Sequence, residues 1–108
     1  YPKLFRPWGW VETLVVADGF KVTRICIEPG ASLSLQRHFK RSEHWVVLEG
    51  KVDVTIDGEC HDVMQGESIG VPVGAIHKIE NVTDTNVILI EIQVGNYLAN
   101  DDIIRYES

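Results

Sequence analysis

The sequence predicts an all-β domain, and three observations carry that prediction. Val, Ile and Thr number 30 of the 108 residues, against 12 for Ala, Leu and Met together. β-Branched side chains suit a pleated, half-buried surface better than a helix. Turn dipeptides ending in Gly recur along the chain, and no stretch sustains a 3.6-residue apolar period.

The elements follow in order. Trp10–Val16 reads as a strand closed by Asp18-Gly19, and Phe20–Glu28 as one closed by Pro29-Gly30. Ser32–His38 precedes a charged break at Lys40-Arg41-Ser42, and Glu43–Leu48 runs to Glu49-Gly50. Lys51–Ile56 alternates strictly, with Val52, Val54 and Ile56 on one face and Asp53 and Thr55 on the other. It stops at Asp57-Gly58, a dipeptide that marks a two-residue hairpin. Cys60–Met64 ends at Gln65-Gly66, and Ser68–Val71 at Pro72-Val73-Gly74. His77–Val82 and Asn86–Val94 complete roughly nine short strands, the spacing of a sandwich or barrel. The tail has room for one helical turn at Leu98–Asp101. No repeat, low-complexity tract or interior linker interrupts the chain, so residues 1–108 are expected to form a single domain.

Composition narrows the function. Sixteen acidic and ten basic side chains leave a net charge of −6, which argues against a nucleic-acid binder, whose phosphate contacts need a basic face. No apolar run approaches the roughly 20 residues of a membrane-spanning helix. No basic-then-apolar leader marks the chain for export. Cys26 and Cys60 make no disulfide framework and are expected as free thiols in a reducing compartment, which points to the cytoplasm. The chain opens on Tyr1 and not on Met, as a piece cut from something longer would.

Two segments carry unusual chemistry. In the first, Gln36 and His38 lie two apart, so a strand projects them from the same face. A hairpin across the following turn brings Glu43 back beside His38. In the second, His77 opens a strand after a Pro-x-Gly turn. Two imidazoles, one carboxylate and one amide carbonyl suit a divalent metal, since they combine neutral nitrogen lone pairs with hard, charged oxygen. The same residues also read as ordinary ones. Gln36 and His38 then belong to a plain strand, His38 and Glu43 form a surface pair, and His77 caps a turn.

The spacing Gly30, Gln36, His38, Glu43, Gly50 resembles the first cupin motif, with Gln in place of its first His. Gly66, Pro72-Val73-Gly74, His77, Asn81 matches the second motif at every position. Arg6-Pro7-Trp8-Gly9-Trp10, Leu33–His38, Ser42-Glu43-His44-Trp45-Val46-Val47 and Asp101–Arg105 resemble one branch more closely. That branch is the type II mannose-6-phosphate isomerase domain, which commonly forms the C-terminal part of bifunctional guanylyltransferase/isomerases. The resemblance implies a cupin, a small antiparallel jelly-roll barrel with one divalent metal inside one mouth. It implies Gln36, His38, Glu43 and His77 as ligands. The donor mixture does not separate zinc from manganese, iron, cobalt or nickel. One departure stands out: family members often carry a His run after His38, where this chain has Phe39 and Lys40. Neither position is a ligand in the motif.

The implied reaction interconverts mannose 6-phosphate and fructose 6-phosphate by moving a proton between C1 and C2. Glu91 is the first candidate for the base and His44 the second. His44 follows Glu43 and should point to the other face, where a barrel-wall role competes with a catalytic one. On the last long strand Glu91 and Gln93 share a face with Val87 and Leu89, and polar groups there need partners that a barrel mouth can supply. Arg105, Lys40, Arg37 and Gln93 are the candidates for holding the substrate. Arg37, Lys40 and Arg41 cluster beside the metal motif, although a solvated hairpin tip accounts for them equally well. Apolar residues on both faces of Val87–Val94 point to a homodimer packed through outer barrel faces. Two alternatives stand beside the isomerase: a non-catalytic sugar-phosphate-binding cupin, and another cupin enzyme.

Overall fold

A computed structural model describes residues 2–38, 40–95 and 103–105, with 34–38 and 103–105 described by backbone alone. The expected turn at Leu98–Asp101 lies outside the described residues. Among those residues there is no helix.

The strands are β1 (Lys3–Arg6), β2 (Gly9–Ala17), β3 (Phe20–Ile27), β4 (Ser32–His38), β5 (Arg41–Glu49) and β6 (Lys51–Ile56). They continue as β7 (Glu59–Met64), β8 (Ser68–Val71), β9 (Ile76–Glu80), β10 (Val87–Gly95) and β11 (Ile103–Arg105). Two antiparallel sheets result, one in the order β1-β2-β3-β10-β5-β8 and the other β11-β4-β9-β6-β7. The nine expected strands are present with ends shifted by a residue or two. The hairpin at Asp57-Gly58 forms as expected, with both residues at positive φ (48° and 84°) and β6 paired to β7 on either side.

Three differences from the expected elements matter. β1, a four-residue strand between Pro2 and Pro7, and β11, too short to show a period, were not among the expected strands. The third difference bears on the site: β5 begins at Arg41, so the charged break is shorter than expected and Arg41 belongs to the strand.

Ile25, Ile27, Val47, Val87 and Leu89 of the first sheet meet Val52, Val54, Val63 and Ile79 of the second in one buried cluster. Each large side chain fully buried there is worth about 1.5–3 kcal/mol. The inward residues of β10 divide the interior into two ends. Val87 pairs with Ile27, and Leu89 with Ile25 and Val47, so this end is hydrocarbon. Glu91 then pairs with Thr23 and Trp45, and Gln93 with Lys21 and Glu43, so the other end is polar. A bulge between Ile88 and Leu89 on the β5 side sets the parity that points Trp45 and Glu43 inward with them.

Candidate metal centre at the polar end

Five strands converge on the polar end. β5 supplies Arg41, Glu43 and Trp45 at alternate positions, all buried, while Ser42, His44 and Val46 face outward. β9 supplies His77 and β10 supplies Glu91 and Gln93, all three buried. β3 adds Thr23, and β4 runs antiparallel to β9 with Gln36 directly opposite His77. A bulge between Leu33 and Gln36 sets that register. On the far edge of β4, Arg105 of β11 pairs with Gln36, and Ile103 with His38.

The central contact joins the two sheets. His77 Nε2 lies 3.5 Å from Glu43 Oε1, and both side chains are at most 5% exposed. The other ring nitrogen, Nδ1, lies 3.3 Å from the Ala75 carbonyl oxygen. A carbonyl only accepts, so Nδ1 carries the proton and Nε2 presents a lone pair toward Glu43. Burial lowers the His77 pKa from its ordinary value and keeps the ring neutral. The Trp45 ring packs edge-on against the imidazole, with centroids 5.5 Å apart.

Glu43 is buried with little exposure to solvent. Burial pushes its carboxyl well above the usual carboxylate range, and the neighbouring Glu91 carboxylate pushes the same way. Arg41, with Nε 3.3 Å from Glu43 Oε2, pulls it back only in part. Glu91 is held on both oxygens: Oε1 accepts from Thr23 Oγ1 at 3.1 Å and Gln93 Nε2 at 2.7 Å, and Oε2 accepts from Trp45 Nε1 at 3.1 Å.

A divalent cation fits this chemistry. A neutral imidazole nitrogen and a buried carboxylate oxygen face each other, and burial together with Glu91 raises the carboxylate's pKa, a cost that a cation would offset. Of the four expected ligands, Glu43 and His77 are brought together, and Gln36 joins them by backbone register. The side chains of Gln36 and His38 lie outside the description. Among the described side chains no group of three His, Cys, Asp or Glu forms.

The other candidates separate by parity. Glu91 and Gln93 line the polar end. His44 stands exposed on the outer face, its ring against the bare backbone of Gly70, where a Cβ would lie 3.2 Å from Nδ1. The basic cluster splits: Lys40 is exposed and Arg41 is buried beside Glu43, so Arg41 is no part of a solvated tip. Arg37 and Arg105 are placed by backbone alone, on adjoining strands. Sequence reasoning also passed over Lys21, half-buried and in register with Gln93. Its alternation with Thr23, Ile25 and Ile27 was the available signal.

The whole chain, residues 1–108, matches the family described as mannose-6-phosphate isomerase C-terminal. A mannose-1-phosphate guanylyltransferase of Sinorhizobium fredii is 45% identical over 105 residues, covering 97% of this chain and 20% of that protein. The chain thus spans about a fifth of the length of the relatives it matches. The cupin domain of Schizosaccharomyces pombe Cnp3 superposes with a TM-score of 0.77 at 18% identity, covering 80% of this chain and 64% of that one. Lactobacillus farciminis oxalate decarboxylase gives 0.82 at 20% identity, covering 96% and 33%. At such identities these two report on the fold alone, and the fold is the cupin. With its full length matched and the motif residues Glu43 and His77 meeting inside the barrel, the chain belongs to the mannose-6-phosphate isomerase C-terminal family.

Proposed function

We propose that the chain is a metal-dependent sugar-phosphate isomerase module that interconverts mannose 6-phosphate and fructose 6-phosphate. The observation that carries this reading is the buried pair of lone-pair donors, His77 Nε2 and Glu43 Oε1, facing each other from two sheets. Gln36, His38, Glu43 and His77 would hold one divalent ion, whose identity among zinc, manganese, iron, cobalt and nickel the donors leave open. Held there, such an ion would supply Lewis-acid stabilisation of the developing oxyanion.

The chain's own groups do the rest. Aldose–ketose exchange removes the proton on C2, shifts a proton between the two oxygens and returns a proton to C1. Glu91 faces the interior beside Glu43 and is the proposed carrier of the carbon-bound proton. Thr23, Trp45 and Gln93 orient its carboxylate. His44, exposed on the opposite face of β5 from Glu43, is the second candidate. Arg105, Arg37 and Lys40 are the proposed phosphate partners, because guanidinium and ammonium groups supply the charge that two phosphate negatives require. Apolar side chains on the outer face of the six-stranded sheet, among them Val22, Ile90, Ile92 and Val94, support a homodimer packed through that face.

The deciding experiment is turnover of mannose 6-phosphate by the purified chain with each metal added in turn. Turnover with at least one metal is expected. Binding without turnover in any metal-loaded form would favour the sugar-phosphate-binding reading instead. For one specific reason that alternative is kept: Phe39-Lys40 replaces the His run often found in the family.

A further inference from the structure

Among the described residues, the polar end holds a buried acceptor without a hydrogen-bond partner. Gln93 is only 6% exposed, and its Oε1 is buried with no hydrogen-bond partner. Its amide cannot be turned to cure this. Nε2 lies 2.7 Å from Glu91 Oε1, and a carboxylate oxygen only accepts, so the NH2 group must face Glu91. Glu91 is fixed in turn by Thr23 and Trp45, so the Gln93 carbonyl oxygen is fixed as well.

Buried acceptors without a donor are rare in folded proteins and tend to mark functional sites. This one sits on the strand position directly opposite Glu43, beside the candidate metal centre. No described residue gives this oxygen a hydrogen bond, so a ligand that brings a donor supplies one. A hydroxyl supplies that donor, while a methylene in its place leaves the oxygen stranded again.

We infer that Gln93 Oε1 accepts a hydrogen bond from a hydroxyl of the bound substrate and thereby selects a polyhydroxylated sugar chain over its deoxy counterpart. The inference rests on the sugar-phosphate reading above and adds to it a residue that sets specificity. A site built to bond a hydroxyl rejects the analogue lacking it far more strongly than an apolar pocket rejects an extra one. Gln93 reads the substrate; Glu91, which its amide orients, handles the proton.

The test is calorimetric binding of mannitol 6-phosphate, an open-chain polyol phosphate that cannot isomerise, and of its four monodeoxy analogues at C2 to C5. The proteins are the metal-loaded wild type, Gln93→Leu and Gln93→Met. In the wild type, one analogue is expected to bind at least tenfold more weakly than the parent. That same analogue should bind Gln93→Leu as tightly as the parent does, because the acceptor is gone. Gln93→Met serves where Gln93→Leu does not fold, judged by thermal unfolding. The inference is overturned if no deoxy analogue loses more than twofold in the wild type, if the wild type binds no mannitol 6-phosphate, or if the loss persists in both variants. A wild type with the deoxy penalty but no turnover of mannose 6-phosphate overturns the isomerase reading and leaves Gln93 in place.

Discussion

His77 Nε2 and Glu43 Oε1 stand 3.5 Å apart, and the strands that carry them belong to different sheets. The pair therefore exists only when the barrel is closed, and a cation held between them would tie one sheet to the other. Metal binding at this contact would be coupled to folding.

Truncating His77 removes the nitrogen and leaves the rest of β9 in place. His77→Ala is expected to purify with little metal and to unfold at the same temperature with or without added metal. The wild type should gain several degrees on metal addition. Elemental content of both proteins checks this, and equal metal in the two would remove His77 from the site.

Glu43 gives a pH dependence whose sign is fixed by its burial. Its carboxyl is raised in the folded protein, so the metal-free fold loses stability as pH rises through that raised value. Glu43→Gln keeps the shape without the charge. It should be more stable than the metal-free wild type by about 1–3 kcal/mol near pH 8, with the gap closing as pH falls and Glu43 takes up its proton. Metal affinity runs the other way, strengthening with pH in the wild type and lost in the variant. Denaturant unfolding at several pH values, with chelator present, measures the gap, and a constant gap would contradict the assignment.

Trp45 serves two partners at once, donating to Glu91 and packing on the His77 ring. Trp45→Phe removes the donor and part of the edge contact. A loss of about 1–3 kcal/mol is expected from the freed acceptor and the space left behind, together with a fall in turnover larger than any change in metal content. Turnover unchanged at full metal loading would show that Glu91 needs no orientation from Trp45.

Variants at Arg105 and His38 would separate the proposed phosphate binding from the proposed metal binding. Arg105→Ala should weaken reaction of mannose 6-phosphate strongly and leave slow turnover of free mannose nearly unchanged. Remote phosphate contacts also position the sugar, so kcat should fall along with affinity. His38→Ala should abolish both reactions. Equal loss with both sugars in Arg105→Ala would place its role elsewhere.

The outer face of the six-stranded sheet provides the assembly test. A homodimeric mass at micromolar concentration is expected, and Ile92→Lys should yield a monomer with its interior intact. A monomeric wild type in light scattering would rule the packing out.

Much of this was legible in the sequence. The nine main strands announced themselves by alternation and turn chemistry, and parity put Glu91 and Gln93 on one face with Val87 and Leu89, although apolar residues on both faces left open which one turned inward. Arg41 was misjudged because three consecutive polar residues read as a break. Continuing the alternation of Glu43, Trp45 and Val47 back by two residues would have placed it inside. β1 and β11 were illegible because edge strands of three or four residues draw their order from the neighbour they pair with and not from a period of their own. The fixed orientation of the Gln93 amide was beyond the sequence entirely, since it depends on which atoms of Glu91 are already taken.

The change of character along β10, between Leu89 and Glu91, has a consequence for how this barrel can diversify. Val87 and Leu89 glue the two sheets together, while two and four places further on the strand carries Glu91 and Gln93, which meet hydrogen-bonding groups instead: Thr23, the indole N–H of Trp45, and each other. The mouth can thus be relettered while the adhesive end keeps the molecule folded, so new chemistries need only a few exchanges at one rim. One shell then serves many trades, and ancestry shows in the sealed end while occupation shows in the open one.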